Sequence, residues 1–403
     1  MLLTFTDRPI VSGNGGKEKA ILVGVFLKGR KNRQSSPYRP VIAQDFMDEL
    51  HALARSANAE VPHSVITSAS HFNPSMLIGT GKADEIHRLI HHHDADLVIF
   101  NNLLRPVQQK NLEEFLGVKV IDRKELILDI FAQRAKSSEG KLQVELAQLQ
   151  YRLTRIIGKG RELSRTGGGI GTRGPGEKKL EIDRRRIRER ISQIKRDLVK
   201  VRKTRTLHYE RRKKGNAFVV SLVGYTNAGK STLFNFLTGA SAISKNQMFS
   251  TLDPTTRRIN IPSNGKRCLI VDTVGFIRDL PPELIDAFKA TLEGINESDL
   301  IIHVIDFSSP FSEENEEVVE EILSDIGVRD KPMITVYNKT DLTKGQYSIE
   351  PGSGKLYISA KTGNGTDVLI REILKRVCQF EDTGKSSTQS EFSTSQISSR
   401  QRE

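Results

Sequence analysis

The sequence predicts an α/β protein: two α/β domains with mostly parallel sheets, joined by a long antiparallel helical hairpin. Short apolar runs alternate with helix-like stretches over residues 19–135 and again over 216–380. Between them lie two heptad seams separated by a glycine-rich loop. Unbroken apolar runs mark strands buried on both faces, as in parallel sheets covered by helices.

In the N-terminal domain, 19–135, Ala20–Leu27 is a continuous apolar run and Ser64–Ser68 a short β-branched one. Leu97–Phe100 and Val118–Ile121 complete the strands. Helical patterns fall at Gln44–Arg55, Lys82–His92, Pro106–Phe115 and Glu125–Arg134. Ile78-Gly-Thr-Gly-Lys82 has glycines suited to a phosphate-binding turn, but it lacks full P-loop spacing and reads better as a tight turn into a helix. His91-His92-His93 cannot share one helix face, so it reads as a surface run rather than a metal site.

The middle segment, 136–214, is different. Leu142, Leu146, Leu149, Leu153 and Ile156 recur every three or four residues, as do Ile187, Ile191, Ile194, Leu198 and Val201 after Leu180. Gly158–Gly176 holds eight glycines and one proline and is expected to end both helices, which places the hairpin tip at 158–177. A helix over Lys178–Lys213 would be about 50 Å long at ~1.5 Å per residue. Residues 151–214 hold 23 Lys and Arg against 7 Asp and Glu, a net of +16. The whole chain carries +13, so the remainder carries −3. The basic character therefore belongs to one segment and points to a polyanionic partner there. Arg165, Arg173, Arg184, Arg185 and Arg186 are the candidate RNA-binding residues, able to fork onto phosphates or stack on bases. Their alternative is a solvated helix face paired with Glu181, Asp183 and Glu189, acids too few to offset the local excess.

Alternation returns in residues 215–380, with apolar strands at Ala217–Val223, Arg267–Asp272, Leu300–Asp306 and Met333–Asn338. After the first comes Gly224-Tyr225-Thr226-Asn227-Ala228-Gly229-Lys230-Ser231, a P-loop opening a helix at Thr232–Leu237. Its N–H groups are suited to wrapping phosphates, with Lys230 on the β- and γ-phosphates and Ser231 on Mg²⁺. Asp272-Thr273-Val274-Gly275 follows the second strand; Asp272 would hold Mg²⁺ through water, and the Gly275 N–H would meet the γ-phosphate. Asn338-Lys339-Thr340-Asp341 ends another strand. The Asp341 carboxylate can accept from the guanine N1–H and 2-amino group, a pair that adenine lacks. Ser359-Ala360-Lys361 would bring the Ala360 N–H to the guanine O6.

These motifs predict a Ras-like P-loop GTPase domain binding GTP or GDP with Mg²⁺. Lys230, Thr251 and Gly275 are the candidate catalytic positions. The switch I stretch is Phe249-Ser250-Thr251-Leu252-Asp253, with Thr251 as second metal hydroxyl and Thr255 and Thr256 as rivals. Phe276 stands where many GTPases place a water-orienting Gln. It implies slow intrinsic hydrolysis completed by a partner, unless another polar residue of the chain substitutes.

Residues 381–403 are rich in Ser, Thr and Gln and are expected to be disordered. No apolar stretch is long enough to cross a membrane, no secretory signal opens the chain, and two cysteines make no disulfide framework. A cytoplasmic monomer is expected, with peripheral membrane association compatible.

Beyond the nucleotide motifs, the chain resembles the HflX GTPases over residues 19–380. The most specific stretches are Asp129–Ala135, Glu139–Leu149, Gly167–Glu177 and Asp183–Arg186. Phe249–Arg257, Asp272–Ile277, Ile78–Lys82 and Phe100–Asn102 fit too. Thr154 stands where the family often has Pro, which bears on the bend of one helix. The resemblance implies a GTPase that binds the large ribosomal subunit, separates stalled ribosomes in a GTP-dependent manner, and is stimulated by the ribosome. It also implies that the N-terminal domain and linker enter the A site, with the linker tip near the peptidyl transferase centre. The family's N-terminal domain has been proposed to bind a second nucleotide. The other reading of the residues is a nucleotide-gated RNA-binding or ribosome-assembly module in which turnover is incidental.

Overall fold

The computed structural model describes residues 17–28, 40–166, 175–214, 217–239, 248–259, 267–281, 283–285, 294–328, 331–343 and 355–379. The chain divides into two compact units. The first holds residues 1–202, 247–249 and 280–288, and the second holds the rest.

The first unit is built on a four-stranded parallel sheet in the order β2-β1-β3-β4. Its strands are β1 (Lys19–Leu27), β2 (Glu60–Ala69), β3 (Leu97–Phe100) and β4 (Lys119–Asp122). The β1 run is buried almost throughout because both faces are covered. Ile21, Val23 and Val25 join Ile86 of α2 (Thr80–His93) and Leu112 of α3 (Pro106–Leu116) in one core. The alternate residues of β1 face the other way, where α1 (Pro40–Ser56) and α4 (Arg123–Arg134) pack. Gly79 N-caps α2 from an extended conformation, so 78–82 is a turn into a helix.

α5 (Ser138–Thr166) leaves this layer and α6 (Pro175–Lys214) returns. Arg190 forks onto Glu145 at 2.7 and 2.9 Å, and Arg152 feels the charge of Asp183, so the two helices run antiparallel. Leu146 and Ile194 are the buried positions of the facing seams. The helices reach further into the glycine-rich stretch than the composition predicts: α5 continues through Gly158 and Gly160 to Thr166. Each isolated glycine costs only ~1 kcal/mol relative to Ala, too little to stop a long helix.

The root of α5 is fixed by a buried carboxylate. Asp122, at the carboxyl end of β4, accepts from the Leu104 and Glu125 N–H groups, the Tyr151 hydroxyl at 3.1 Å and Arg155 at 2.7 Å. The Arg155 guanidinium also lies over the Tyr151 ring at 4.4 Å. Burial, with Asp122 beside it, pushes Glu125 up to about 7.

The second unit has a six-stranded sheet in the order β10-β9-β8-β5-β7-β6. Its strands are β5 (Ala217–Gly224), β6 (Thr255–Ile259), β7 (Arg267–Asp272), β8 (Leu300–Asp306), β9 (Met333–Asn338) and β10 (Lys355–Tyr357). All pairings are parallel except that of edge strand β6 with β7. Helices α7 (Lys230–Thr238), α8 (Ser312–Asp325) and α9 (366–379) cover it. Strand β5 lies between β7 and β8, where the strand order reverses, and ligands of open α/β sheets bind beyond the carboxyl ends of strands at such a point. The P-loop leaves β5 there.

Candidate functional site

Two glycines make the P-loop possible. Gly224 has φ +150°, and a Cβ there would strike the Val304 carbonyl. Gly229 has φ +97° and a Cβ there would strike the Asn338 amide. Asn227 also takes a positive φ, and Ala228 is fully buried. The loop thus closes against β8 and β9 before α7 begins at Lys230.

Lys230 is buried and donates to the Gly224 and Tyr225 carbonyls at 3.0 and 2.7 Å. Burial lowers its pKa to about 8; the Lys339 charge adds to the shift and Asp272 opposes it. The folded protein therefore holds fewer protons here than the unfolded chain above pH 8, and stability without nucleotide rises with pH through that window. A phosphate beside the ammonium raises its pKa again, so binding takes up a proton. GDP affinity is expected to be level below about pH 8 and to fall by up to about tenfold per unit above it. Equilibrium titrations at pH 7, 8 and 9 check this, and Lys230→Arg, charged throughout, should remove the slope.

Three residues distant in sequence meet next to the loop. Asp272 Oδ2 accepts from Ser231 Oγ at 2.8 Å and from Thr251 Oγ1 at 2.7 Å, and the two hydroxyls are 2.9 Å apart. The other oxygen, Asp272 Oδ1, is buried without a partner. Burial raises the Asp272 pKa, against the Thr251 bond, the Lys230 charge and the Ser231 bond. Two hydroxyls and a buried carboxylate with a spare acceptor form a hard-oxygen donor set that fits Mg²⁺. The rivals are placed elsewhere: Thr255 and Thr256 lie exposed on β6, with Thr255 Oγ1 on the Asp253 carbonyl. Ser250 Oγ lies 3.4 Å from Ser231, and Leu252 is buried.

Phe249 does not join this group. Its ring packs 4.6 Å from Phe131 within the first unit, and it takes φ +54°. Thr273 turns inward and donates to the Leu222 carbonyl at 2.6 Å, and Val274 is buried. Gly275 passes so close to Thr226 and Lys230 that a Cβ would crowd both. Phe276 is 2% exposed, and its backbone is bridged to the P-loop: its N–H donates to Gly224 O at 3.1 Å and its carbonyl accepts from Thr226 N at 2.6 Å. Its side chain can neither reach nor orient a water. The Arg278 N–H donates to the Tyr225 hydroxyl at 2.9 Å, a tie between P-loop and switch II that no motif announces.

The base-recognition residues converge as well. Asn338 donates to the Ala228 carbonyl and accepts from the Ala360 N–H, both at 2.9 Å, joining the P-loop to Ser359-Ala360-Lys361. Asp341 accepts from Ser359 Oγ at 2.6 Å and remains exposed, leaving its second oxygen for a ligand. Lys339, at φ +68°, pairs with Asp306 at 2.6 Å, and the N–H of Thr340 donates to the Ile358 carbonyl. Lys361 is exposed.

Of the candidate RNA-binding residues, Arg185 and Arg186 are exposed on α6 and Arg184 is half-buried. Arg185 pairs with Glu189 at 2.9 Å. The Arg165 side chain and Arg173 lie outside the described residues.

Known proteins agree with this arrangement. The family described as GTP-binding GTPase N-terminal matches residues 44–132, GTP-binding GTPase Middle Region matches 134–212, and 50S ribosome-binding GTPase matches 219–339. The chain is 49% identical to the GTPase HflX of Caldanaerobacter subterraneus subsp. tengcongensis over 91% of its own length and 82% of that protein's. It is 41% identical to the GTPase HflX of Escherichia coli, with 89% and 83% covered. The crystal structure of SsGBP in complex with GDP superposes with a TM-score of 0.51 at 28% identity, over 90% of this chain and 99% of that one. With that likeness along nearly the whole chain and a complete P-loop site, the protein belongs to the HflX family of GTPases.

Proposed function

We propose that this GTPase binds the large ribosomal subunit and, with GTP bound, separates stalled ribosomes into subunits, hydrolysis being stimulated by the ribosome and timing release. The observation that carries this is the pairing of a GTP site lacking a water-orienting side chain at Phe276 with a hairpin of net charge +16. The proposed organisation is 19–135 as N-terminal domain, 136–214 as basic hairpin with its tip at 158–177, 215–380 as GTPase domain, and 381–403 as a disordered tail. Arg165, Arg173, Arg184, Arg185 and Arg186 would contact ribosomal RNA. The protein would act as a cytoplasmic monomer; none of the described helices is long and apolar enough to cross a membrane.

In this reading Ser231 and Thr251 would hold Mg²⁺, with Asp272 behind them through water, and the ion would supply positive charge to the phosphate oxygens. Lys230 leaves the Gly224 and Tyr225 carbonyls for the phosphates. The Gly275 N–H reports the γ-phosphate, and Thr251 ties switch I to it, so loss of that phosphate frees both segments. Asp341 and the Ala360 N–H select guanine. The ribosome would supply the geometry that Phe276 does not. GTP turnover measured across a titration of purified large subunits should rise by at least about tenfold; assistance by a partner can reach about 10³–10⁵-fold. A flat rate would leave the RNA-binding or assembly reading, with incidental turnover, as the better account.

A further inference from the structure

Outside the nucleotide motifs, the second unit carries a histidine and two glutamates placed as metal ligands. A ring nitrogen of His303 on β8 and carboxylate oxygens of Glu316 and Glu320 on α8 all lie within 4.8 Å of one another. Glu316 and Glu320 are one helical turn apart, so both project toward the strand. His303 is 1% exposed, and its Nδ1 has no hydrogen-bond partner. A buried imidazole is ordinarily satisfied at both nitrogens, so an unmatched nitrogen in a ring beside two carboxylates leaves room for a third party. Burial, then the Lys230 charge, hold His303 down at about 4. A neutral imidazole is an ordinary ligand for a cation through its free nitrogen. Tyr337 donates to Glu316 at 3.3 Å, the kind of outer hydrogen bond that orients a ligating carboxylate.

We propose that His303, Glu316 and Glu320 bind one Zn²⁺ ion, with water completing the coordination. Imidazole nitrogen and carboxylate oxygen are both ordinary zinc ligands, and the imidazole is poorly suited to Mg²⁺, which prefers oxygen and keeps its waters. Tetrahedral ligands around zinc stand roughly 3.4 Å apart, and the exposed Glu320 is free to swing inward by the difference. The ion would cross-link β8 to α8. Strand β8 also supplies the Val304 carbonyl that closes over Gly224, so the site would brace the strand supporting the P-loop.

The test uses the full chain, stripped of metal by chelation and then saturated with Mg²⁺ and GDP so that the nucleotide site is occupied. Calorimetric titration with ZnCl2 should show one tight equivalent, and Co²⁺ should give the visible absorption bands of a four- or five-coordinate ion. Glu316→Gln and Glu320→Gln should each weaken the tight equivalent at least tenfold while leaving GDP affinity unchanged, which shows that the fold survives. His87 and His91, whose Nε2 atoms are 3.2 Å apart, are the competing pair, and His91→Ala should leave the tight equivalent intact. Absence of a tight equivalent, or one that survives both glutamate substitutions, would overturn the proposal.

Discussion

Replacing Asp341 by Asn is expected to weaken GDP and GTP binding by two to three orders of magnitude while leaving the fold intact. Asp341 is exposed and makes one hydrogen bond to Ser359, which an Asn oxygen can still accept. What the substitution removes is a charged acceptor for two guanine donors. Hydrogen bonds to charged groups are worth about 1.5–3 kcal/mol each, so at the lower end of that range losing two costs about 3–4 kcal/mol, a factor of about 10²–10³. The same variant should gain affinity for xanthosine diphosphate. Xanthine presents a carbonyl where guanine has its 2-amino group, and an Asn amide can donate to it. Competition titrations with the two diphosphates read both effects. Unchanged guanine preference in Asp341→Asn would show that specificity resides elsewhere.

The second large effect concerns the hairpin. Substituting Arg184, Arg185 and Arg186 together by Ala should weaken binding to the large subunit by about 10²-fold at 0.1 M salt and flatten its salt dependence. Every phosphate that an arginine no longer neutralises reduces the slope of log affinity against log salt by about 1. Basal turnover and GDP affinity should not move, since none of the three belongs to a nucleotide motif. The Arg185–Glu189 pair is exposed, and such pairs contribute ~0.2–1 kcal/mol, so helix α6 should persist. Arg190 makes a useful contrast. Its guanidinium is engaged bidentately by Glu145 across the hairpin, so Arg190→Ala should loosen the hairpin before it weakens any interaction with RNA.

The strands with unbroken apolar runs were legible from sequence to within a residue or two, because burial on both faces leaves no alternative pattern. Edge strand β6 was not. Thr255-Thr-Arg-Arg-Ile is exposed at four of its five positions and pairs on one side only, so it has no hydrophobic signature. Helix α8, with six glutamates in fourteen residues, hides its buried stripe of Val319, Ile322 and Leu323 beneath an acidic surface. In the site, the motifs located Lys230, Asp272, Asn338 and Asp341, since fixed spacing after a strand fixes their place. Spacing could not separate Thr251 from Thr255 and Thr256, because switch I lies outside any regular element until β6 begins. Three-dimensional proximity to Asp272 separates them. Phe249 is the opposite case: it borders the hydroxyl residues in sequence, yet its apolar ring is buried against Phe131. The unmatched His303 nitrogen has no sequence signal at all, since its carboxylate neighbours come from a different element.

The central claim is that GTP loads a ribosome-separating form and that hydrolysis ends it. Sucrose-gradient profiles of intact ribosomes incubated with the protein and GTP, a non-hydrolysable GTP analogue, or GDP test it most directly. Free subunits should accumulate with GTP and with the analogue, the protein co-migrating with the large subunit only in the analogue sample, and the GDP profile should match ribosomes alone. Equal profiles in all three states, with the protein bound throughout, would contradict it.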